Sequence, residues 1–306
     1  MGLFNISADS GNPGHGANPP PTPPTPPVSL APLKAGVYLR PWTESPTALG
    51  SLPDLSPGVL RISYPAFPLM TRNVNAAEAT RLVGIIENQI KYARSIGALP
   101  LIVTTLGTVA PASIMDVLAA RNAVASYYAD VAKRFPGCAW EIGNEAEIRS
   151  GGGDAPLDSD TYARTFNAHA NIIHAGDPTA KLVTAGTSGF HVDWIRAVLA
   201  LTNPDAVGVH PYGCAPQNYA SAVAAIGTKL PVYFTEWGAQ NSPTQSQEVA
   251  DYFTYARGVV SVAVLFALSD LSADNGETFG LMDASGNRRP AYAAAKAAFA
   301  RTVTTP

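Results

Sequence analysis

Short apolar runs alternate along this chain with longer segments in which apolar positions recur every three or four residues. The short runs are typical of buried strands, and the longer segments are typical of amphipathic helices. The strand-like runs are Gly36–Arg40, Val59–Tyr64, Leu99–Thr105, Ala139–Asn144, Lys181–Ala185, Ala206–His210, Val232–Thr235 and Val260–Leu268. The alternation predicts a parallel sheet, because parallel neighbours need a crossover connection between them.

Most of the connecting segments have a helical pattern. In Asn75–Ile96 the apolar positions form one stripe, and Gly97 stands where a helix commonly ends. Further helices are predicted at Ser113–Arg134, Tyr162–His174, Asp193–Leu201, Tyr219–Ile226, Gln245–Arg257 and Pro290–Ala300. The first connection, Pro41–Gly58, is poor in helical pattern, and we expect a loop there.

Eight strands, each followed by a crossover, predict an α/β fold of the (β/α)₈ (TIM) barrel type in a single domain. A doubly wound open sheet is the competing fold, but no glycine-rich turn follows the first strand to hold a dinucleotide phosphate. In a (β/α)₈ barrel the side chains at the carboxyl ends of the strands face a common pocket. Candidate chemistry is therefore sought at those ends.

Composition excludes several classes of protein. Of the 306 residues, 46 % are hydrophobic and 14 % are charged, which is enough apolar material for one large core. The net charge is −3 without a basic stripe, so nucleic acid is not an expected partner. No apolar run is long enough for a membrane span. Cys138 and Cys214 lack metal-ligand spacing and are expected to be free thiols.

Residues 1–33 differ from the rest of the chain. They hold nine of the 27 prolines and a single formal charge, Asp9. Because proline donates no backbone hydrogen bond, we expect an extended proline-rich arm or linker here and a barrel domain over residues 34–306. The first ten residues lack the pattern of a secretory signal. The arm is expected to dock the protein onto a larger assembly, such as a phage particle or a cell-surface complex.

Two carboxylates terminate apolar strands. Glu145 follows the fourth predicted strand and Glu236 follows the seventh. These strands lie nearly opposite each other in an eight-stranded barrel, so both side chains can reach one central point. Glycoside hydrolysis needs two carboxyl groups on either side of the scissile oxygen, about 5–5.5 Å apart when the anomeric configuration is retained. The sequence supplies such a pair but not the distance between its members.

A family resemblance rests on the segments around these carboxylates. The segments Glu141–Glu145 and Phe234–Gly238, together with Arg61 on the second strand and Val209–Tyr212 on the sixth, resemble the clan A glycoside hydrolases. The resemblance spans residues 34–306. It implies a retaining O-glycosidase that acts on a polysaccharide or oligosaccharide and needs no cofactor or metal. The alternative is a non-catalytic carbohydrate-binding or structural barrel that has lost turnover.

The resemblance also implies individual roles. Glu145 would be the general acid/base, Glu236 the nucleophile, and Asn144 a hydrogen-bond partner of the sugar 2-hydroxyl. On physical grounds, Arg61 is expected to keep Glu236 ionised, and the negative charge of Glu236 is expected to raise the pKa of Glu145. Either His210 or Tyr212 would then hydrogen-bond Glu236 and orient it.

Aromatic side chains are the expected sugar platforms. Trp42, Trp237 and Tyr64 offer flat apolar faces, whereas Trp140 and Trp194 are expected to pack between strands and helices. Many clan members have a tryptophan on the eighth strand, which this chain lacks. Phe266 or Leu268 is expected to take its place. Glu141 is expected to form a buried ionic layer below the pocket, since an unpaired buried carboxylate would be costly.

Overall fold

The structure is a computed structural model that describes residues 32–41, 43–63, 76–104, 127–148, 156–273 and 276–300. The predicted proline-rich arm lies almost wholly outside the described residues, as do Trp42 and Tyr64. The strands are β1 Lys34–Leu39, β2 Val59–Ser63, β3 Leu99–Thr104, β4 Ala139–Asn144, β5 Lys181–Ser188, β6 Val207–His210, β7 Val232–Phe234 and β8 Val262–Leu265. The helices are α1 Pro46–Gly50, α2 Leu52–Leu55, α3 Ala76–Ser95, α4 127–134, α5 Ser159–Gly176, α6 Val192–Leu201, α7 Tyr219–Ile226, α8 Gln245–Ala256 and α9 Pro290–Ala300. Within the described residues, none of these helices is long and apolar enough to cross a membrane.

The eight strands form one closed parallel barrel in sequence order, which confirms the predicted (β/α)₈ fold. The barrel closes between β1 and β8, where Lys34 pairs with Val262 and Val37 pairs with Leu265. Six of the predicted helices agree with observed ones to within a few residues at each end. Of the predicted helix Ser113–Arg134, the described part, 127–134, is helical.

Alternate side chains of each strand point into the barrel. The lower interior is apolar, with Val59, Leu101, Ala139 and Val262 from β2, β3, β4 and β8 in one buried cluster. Two positions further along β2 and β4, the same face carries Arg61 and Glu141, both almost completely buried. Because side chains alternate with a period of two, these charged residues form the next interior layer, nearer the carboxyl ends of the strands.

The larger core fills the space between strands and helices. Trp140 of β4 is fully buried there, with its ring 5.9 Å from that of Tyr128 on α4. Trp194 of α6 packs against Tyr162 of α5, with ring centroids 4.9 Å apart. The first contact confirms that Trp140 packs between a strand and a helix, where burial of a large apolar side chain contributes roughly 1.5–3 kcal/mol. Trp194 is partly buried against a second helix, and its packing against a strand stays a prediction.

The first connection was expected to be a loop, and that prediction is wrong. It contains the short helices α1 and α2. The Ser45 hydroxyl accepts a hydrogen bond from the Ala48 amide at 3.1 Å, and Pro46 occupies the first turn of α1. Both residues favour a helix start, but helices of five and four residues are too short for an apolar period to be visible.

The eighth strand is shorter than the apolar run that predicted it. The run continues to Leu268, whereas β8 ends at Leu265. Beyond that point the Phe266 amide donates to the Trp237 carbonyl, and the Leu268 amide donates to the Tyr38 carbonyl. Residues 266–268 stay buried after leaving the ladder, so hydrophobicity alone does not mark the end of the strand.

The two cysteines are free, as expected. Cys138 is buried just before β4, and burial raises the pKa of its thiol to about 11. Cys214 is partly exposed after β6. A thiol with so high a pKa has little thiolate at neutral pH, which makes Cys138 a packing residue.

Candidate active site

Glu145 and Glu236, here called the site carboxylates, meet at the carboxyl ends of the strands. Glu145 directly follows β4, and Glu236 lies two residues beyond the end of β7. An oxygen of Glu145 and an oxygen of Glu236 lie within 4.8 Å of each other. Their side chains are 18 % and 14 % exposed, so both remain reachable from solvent while most of their surface is buried.

The guanidinium group of Arg61 donates hydrogen bonds to three side chains. Its Nη1 donates to Oε2 of Glu236 at 2.6 Å, its Nη2 to Oδ1 of Asn144 at 2.7 Å, and its Nε to Oε2 of Glu141 at 2.7 Å. Burial opposes the charged form of Arg61, but the charges of Glu141 and Glu236 outweigh it, so the guanidinium stays protonated. The expected contact between Arg61 and Glu236 is present in the structure.

Glu141 is hydrogen-bonded to Arg61 inside the barrel. It is fully buried, and its Oε1 accepts from the Gly186 amide at 3.0 Å and from the Thr235 hydroxyl at 2.8 Å. Burial favours the neutral acid, but the charge of Arg61 and the hydrogen bonds to Glu141 outweigh it and lower its pKa to about 2. The predicted ionic layer below the pocket is therefore confirmed.

The two candidate orienting residues contact different site carboxylates. The Tyr212 hydroxyl donates to Oε1 of Glu236 at 3.2 Å, as expected for one of the pair. His210 instead contacts Glu145, with Nδ1 3.0 Å from Oε1. Each site carboxylate thus has a polar neighbour from β6 or from the residues just after it, and of these neighbours His210 is fully buried and Tyr212 is partly buried.

The electrostatics of Glu145 differ from the sequence expectation. Burial lowers the pKa of His210, but the charge of Glu236, the nearby Glu141 carboxylate and the hydrogen bond with Glu145 raise it to about 9. Burial likewise raises the pKa of Glu145, but the hydrogen bond and charge of His210, together with the charge of Arg61, lower it overall. The expected rise caused by Glu236 is therefore wrong, because the cationic neighbours of Glu145 have the larger effect.

The backbone at the end of β4 brings two adjacent side chains to the barrel axis. Asn144 reaches Arg61 and Glu145 reaches His210, although neighbours in a regular strand point to opposite faces. Glu145 has a φ of 46°, in the left-handed region that costs a non-glycine residue roughly 1–2 kcal/mol. Its amide donates to the Gly186 carbonyl at 2.9 Å. This turn breaks the alternation and directs both polar side chains into one site.

The aromatic positions are only partly described. Trp237 is half-buried and stacks on Tyr252 of α8, with ring centroids 4.6 Å apart and planes at 14°. Phe266 belongs to the interior cluster and lies 5.6 Å from Phe279, whereas Leu268 is buried in the outer core. Of the two expected replacements for a strand-eight tryptophan, Phe266 is the one beside the barrel interior.

One glycine that sequence reasoning did not single out makes room for the site. A Cβ at Gly186 of β5 would clash with Nε2 of His210 and would stand 2.6 Å from the Thr235 hydroxyl. The hydroxyl of Thr235 was missed as well, although it lies directly before Glu236. The available signals were a glycine at the end of a strand and a polar residue inside an apolar run.

The same atoms also have the composition of a metal site. Glu145, His210 and Glu236 offer one nitrogen and two oxygens within 4.8 Å of one another, a donor set that suits transition metals. Each donor is already engaged, however. Arg61 donates to Glu236, and the raised pKa of His210 places a proton on the ring next to Glu145. The arrangement therefore fits two carboxylates that are hydrogen-bonded to Arg61 and His210 better than it fits a cation site.

The fold and these contacts define a (β/α)₈ barrel with a paired-carboxylate site at the open end of the strands. No protein-family model and no curated protein sequence matches the chain. Solved glycoside hydrolases of family GH5 share its fold. A GH5_18 protein from Streptomyces cattleya, in complex with GlcNAc, is 17 % identical, with 91 % of this chain and 82 % of that one covered at a TM-score of 0.67.

Two further solved structures match over most of this chain. A GH5-4 broad specificity endoglucanase from Clostridium acetobutylicum is 14 % identical, with 87 % of this chain and 96 % of that one covered at a TM-score of 0.64. An exo-beta-1,4-mannosidase from Opitutaceae bacterium strain TAV5 is also 14 % identical, with coverages of 90 % and 61 % and a TM-score of 0.64. At these identities the likeness is one of fold.

Proposed function

We propose that this protein is a retaining glycoside hydrolase that cleaves O-glycosidic bonds by double displacement, with Glu236 as nucleophile and Glu145 as general acid/base. The observation that carries the proposal is the approach of the site carboxylates to within 4.8 Å. Retaining enzymes hold the two groups about 5–5.5 Å apart, whereas inverting enzymes need about 6.5–9.5 Å to admit a water between them.

In the first step, Glu236 attacks the anomeric carbon and forms a glycosyl ester while the bond to the leaving oxygen breaks. Arg61 and Tyr212 supply hydrogen bonds to the two oxygens of Glu236, at 2.6 and 3.2 Å, that fix its orientation. Arg61 forms an ion pair with Glu236, which holds the attacking carboxylate in place. Asn144, held by the same guanidinium, is the proposed hydrogen-bond partner of the sugar 2-hydroxyl.

The leaving oxygen must receive a proton in the same step. In the free protein this proton belongs to the pair of His210 and Glu145, whose facing atoms are 3.0 Å apart. Glu145 takes it from Nδ1 of His210 and passes it to the leaving group. Once Glu236 is a neutral ester, the negative charge that favoured protonation of the pair is gone. Water then attacks the anomeric carbon and gives a proton to Glu145 while the ester bond to Glu236 breaks. The proton returns to His210 once Glu236 is a carboxylate again.

The proposed substrate class is supported by the proteins that share this fold. Two solved GH5_18 structures hold Manb1-4GlcNAc, and other matches are an endoglucanase and an exo-beta-1,4-mannosidase. We propose a β-linked gluco- or manno-configured oligosaccharide or polysaccharide as the substrate. Trp42 and Trp237, which follow β1 and β7 in the amino-acid sequence, are the proposed platforms for its sugar rings.

Hydrolysis of a panel of β-1,4-glucan, β-1,4-mannan and Manβ1-4GlcNAc tests the proposal, with product analysis by chromatography. Glu236→Ala should abolish turnover, and azide should restore part of it on an activated aryl glycoside, with an inverted glycosyl azide as product. Unchanged turnover in Glu236→Ala would refute the assignment. Binding of these sugars without turnover in the wild type would favour the non-catalytic barrel instead.

A further inference from the structure

The buried carboxylate of Glu141 contacts groups from several strands of the barrel. Glu141 lies on β4, four residues before Glu145 in the chain, and its side chain is fully buried. Its two oxygens accept from Arg61 of β2, from the Gly186 amide of β5 and from Thr235 beyond β7. Nε2 of His210, on β6, lies 3.6 Å away. One buried carboxylate thus joins groups from four other parts of the barrel.

Three of these partners also control the site carboxylates. Arg61 donates to Glu236, and His210 pairs with Glu145. Thr235 is the residue before Glu236 in the chain. A displacement of Glu141 would therefore act on both site carboxylates, although Glu141 itself is 0 % exposed and touches no substrate.

We propose that Glu141 is a positioning residue of the reaction, one that sets the geometry and the charge of both site carboxylates through Arg61, His210 and Thr235. This inference rests on the proposed hydrolase function. Positioning by geometry follows from the three hydrogen bonds to Glu141, each 2.7–3.0 Å long. Positioning by charge follows from its full burial, since a buried negative charge is weakly screened and favours protonation of its neighbours.

Several titratable side chains surround Glu141 in the described part of the chain. The titratable and charged side chains facing Glu141 or His210 are Arg61, Tyr162, Tyr212, Glu145 and Glu236. With His210 protonated and Glu141, Glu145 and Glu236 ionised, two cations face three carboxylates. Loss of the charge on Glu141 would remove one of the negative charges that favour the proton on His210.

The experiment compares Glu141→Gln with Thr235→Val. Glu141→Gln removes the charge, whereas Thr235→Val removes one hydrogen bond to Glu141 and leaves its charge in place. The first readout is the pKa of His210 by NMR of histidine-labelled protein, its signal assigned from His210→Asn. We expect this pKa to fall by about one unit or more in Glu141→Gln and to stay within a few tenths in Thr235→Val.

The second readout is the pH profile of kcat/KM. Both limbs should move to lower pH in Glu141→Gln, because a nearby negative charge no longer stabilises the protonated groups, and neither limb should move in Thr235→Val. An unshifted His210 in folded Glu141→Gln would overturn the inference. A shifted His210 in a protein that hydrolyses none of the sugars would refute the hydrolase function and leave the electrostatic coupling intact.

Glu141→Asp covers the case in which Glu141→Gln does not fold. The aspartate keeps the charge but is one methylene shorter, so it cannot hold Arg61 and Thr235 at their present distances. We expect kcat to fall about tenfold, with the limbs of the pH profile unmoved. Full kcat in Glu141→Asp would overturn the positioning role.

Discussion

The Nδ1 atom of His210 lies 3.0 Å from Oε1 of Glu145, and the imidazole is completely buried. Three carboxylates surround the ring, and together they raise its pKa to about 9 although burial opposes the charge. The protonated imidazole in turn lowers the pKa of Glu145. We therefore expect His210 and Glu145 to titrate as a coupled pair rather than as two independent groups.

This pair predicts a pH dependence of folding stability. Because the folded pKa of His210, about 9, exceeds the unfolded value of about 6.5, its contribution is complete below that lower value and is lost as the pH rises through the upper one. The contribution is on the order of 3 kcal/mol. Urea unfolding from pH 6 to 10 should show a steeper loss for the wild type than for His210→Asn. Parallel curves for the two proteins would contradict the prediction.

Tyr212 should affect turnover more than binding. Its hydroxyl donates to Oε1 of Glu236 at 3.2 Å, and a hydrogen bond to a charged group contributes about 1.5–3 kcal/mol. We expect Tyr212→Phe to lower kcat by about 10- to 100-fold, with KM nearly unchanged. Steady-state kinetics on the best sugar of the panel measure both constants. Tyr255→Phe, at a tyrosine that is 45 % exposed, is the matched control and should behave as wild type.

Substitution of Glu145 should lower kcat/KM most for substrates whose leaving group is strongly basic. The proposed role of Glu145 is to protonate the leaving oxygen, a contribution of about 10²–10⁴-fold. We expect Glu145→Ala to lower kcat/KM by that factor on an oligosaccharide but far less on an aryl glycoside with an acidic phenol. Rates on a series of substituted phenyl glycosides provide the measurement. An equal loss across the whole series would mean that Glu145 does not transfer the proton.

Gly186 should not tolerate a side chain. A Cβ there would clash with Nε2 of His210 and crowd the Thr235 hydroxyl, and overpacking of this kind costs about 1–3 kcal/mol. Gly186→Ala should therefore unfold at lower temperature and lose activity. Gly84→Ala is the control, because a Cβ at this α3 position meets nothing within 4 Å and removes a helix glycine, for a gain of about 0.5–1 kcal/mol. Equal melting temperatures for the two variants would refute the steric argument.

Ionisation of the buried Glu147 side chain should lower the free energy of unfolding as the pH rises. The side chain is 3 % exposed, with Oε1 accepting from the Ser188 amide at 2.5 Å and Oε2 buried without a partner among the described residues. Burial raises its pKa, so its favourable contribution is present below the unfolded value of about 4.3 and is lost as the pH rises through the folded value. Glu147→Gln should therefore gain stability over the wild type from pH 4 to pH 8 in urea titrations. A constant difference between the two proteins would disprove the linkage.

Much of the architecture was readable from local pattern. The strand-like runs and helical stripes predicted the closed barrel, because a buried parallel strand is apolar along its whole length and its crossover helix is apolar on one side. Helices α1 and α2 and the end of β8 were missed. Those boundaries depend on caps and on which amides leave the ladder, and neither property changes the hydrophobicity of the segment.

The sequence by itself determined the strand order, the placement of Glu145 and Glu236 at opposing strand ends, and the inward position of Arg61, because a period of two and a fixed barrel topology decide them. Only the tertiary structure decided the partners. His210 pairs with Glu145 rather than Glu236, and the pKa of Glu145 falls rather than rises, since a charge interaction depends on distances between strands far apart in the chain. The left-handed turn that brings Asn144 and Glu145 to one site is likewise a product of the folded barrel.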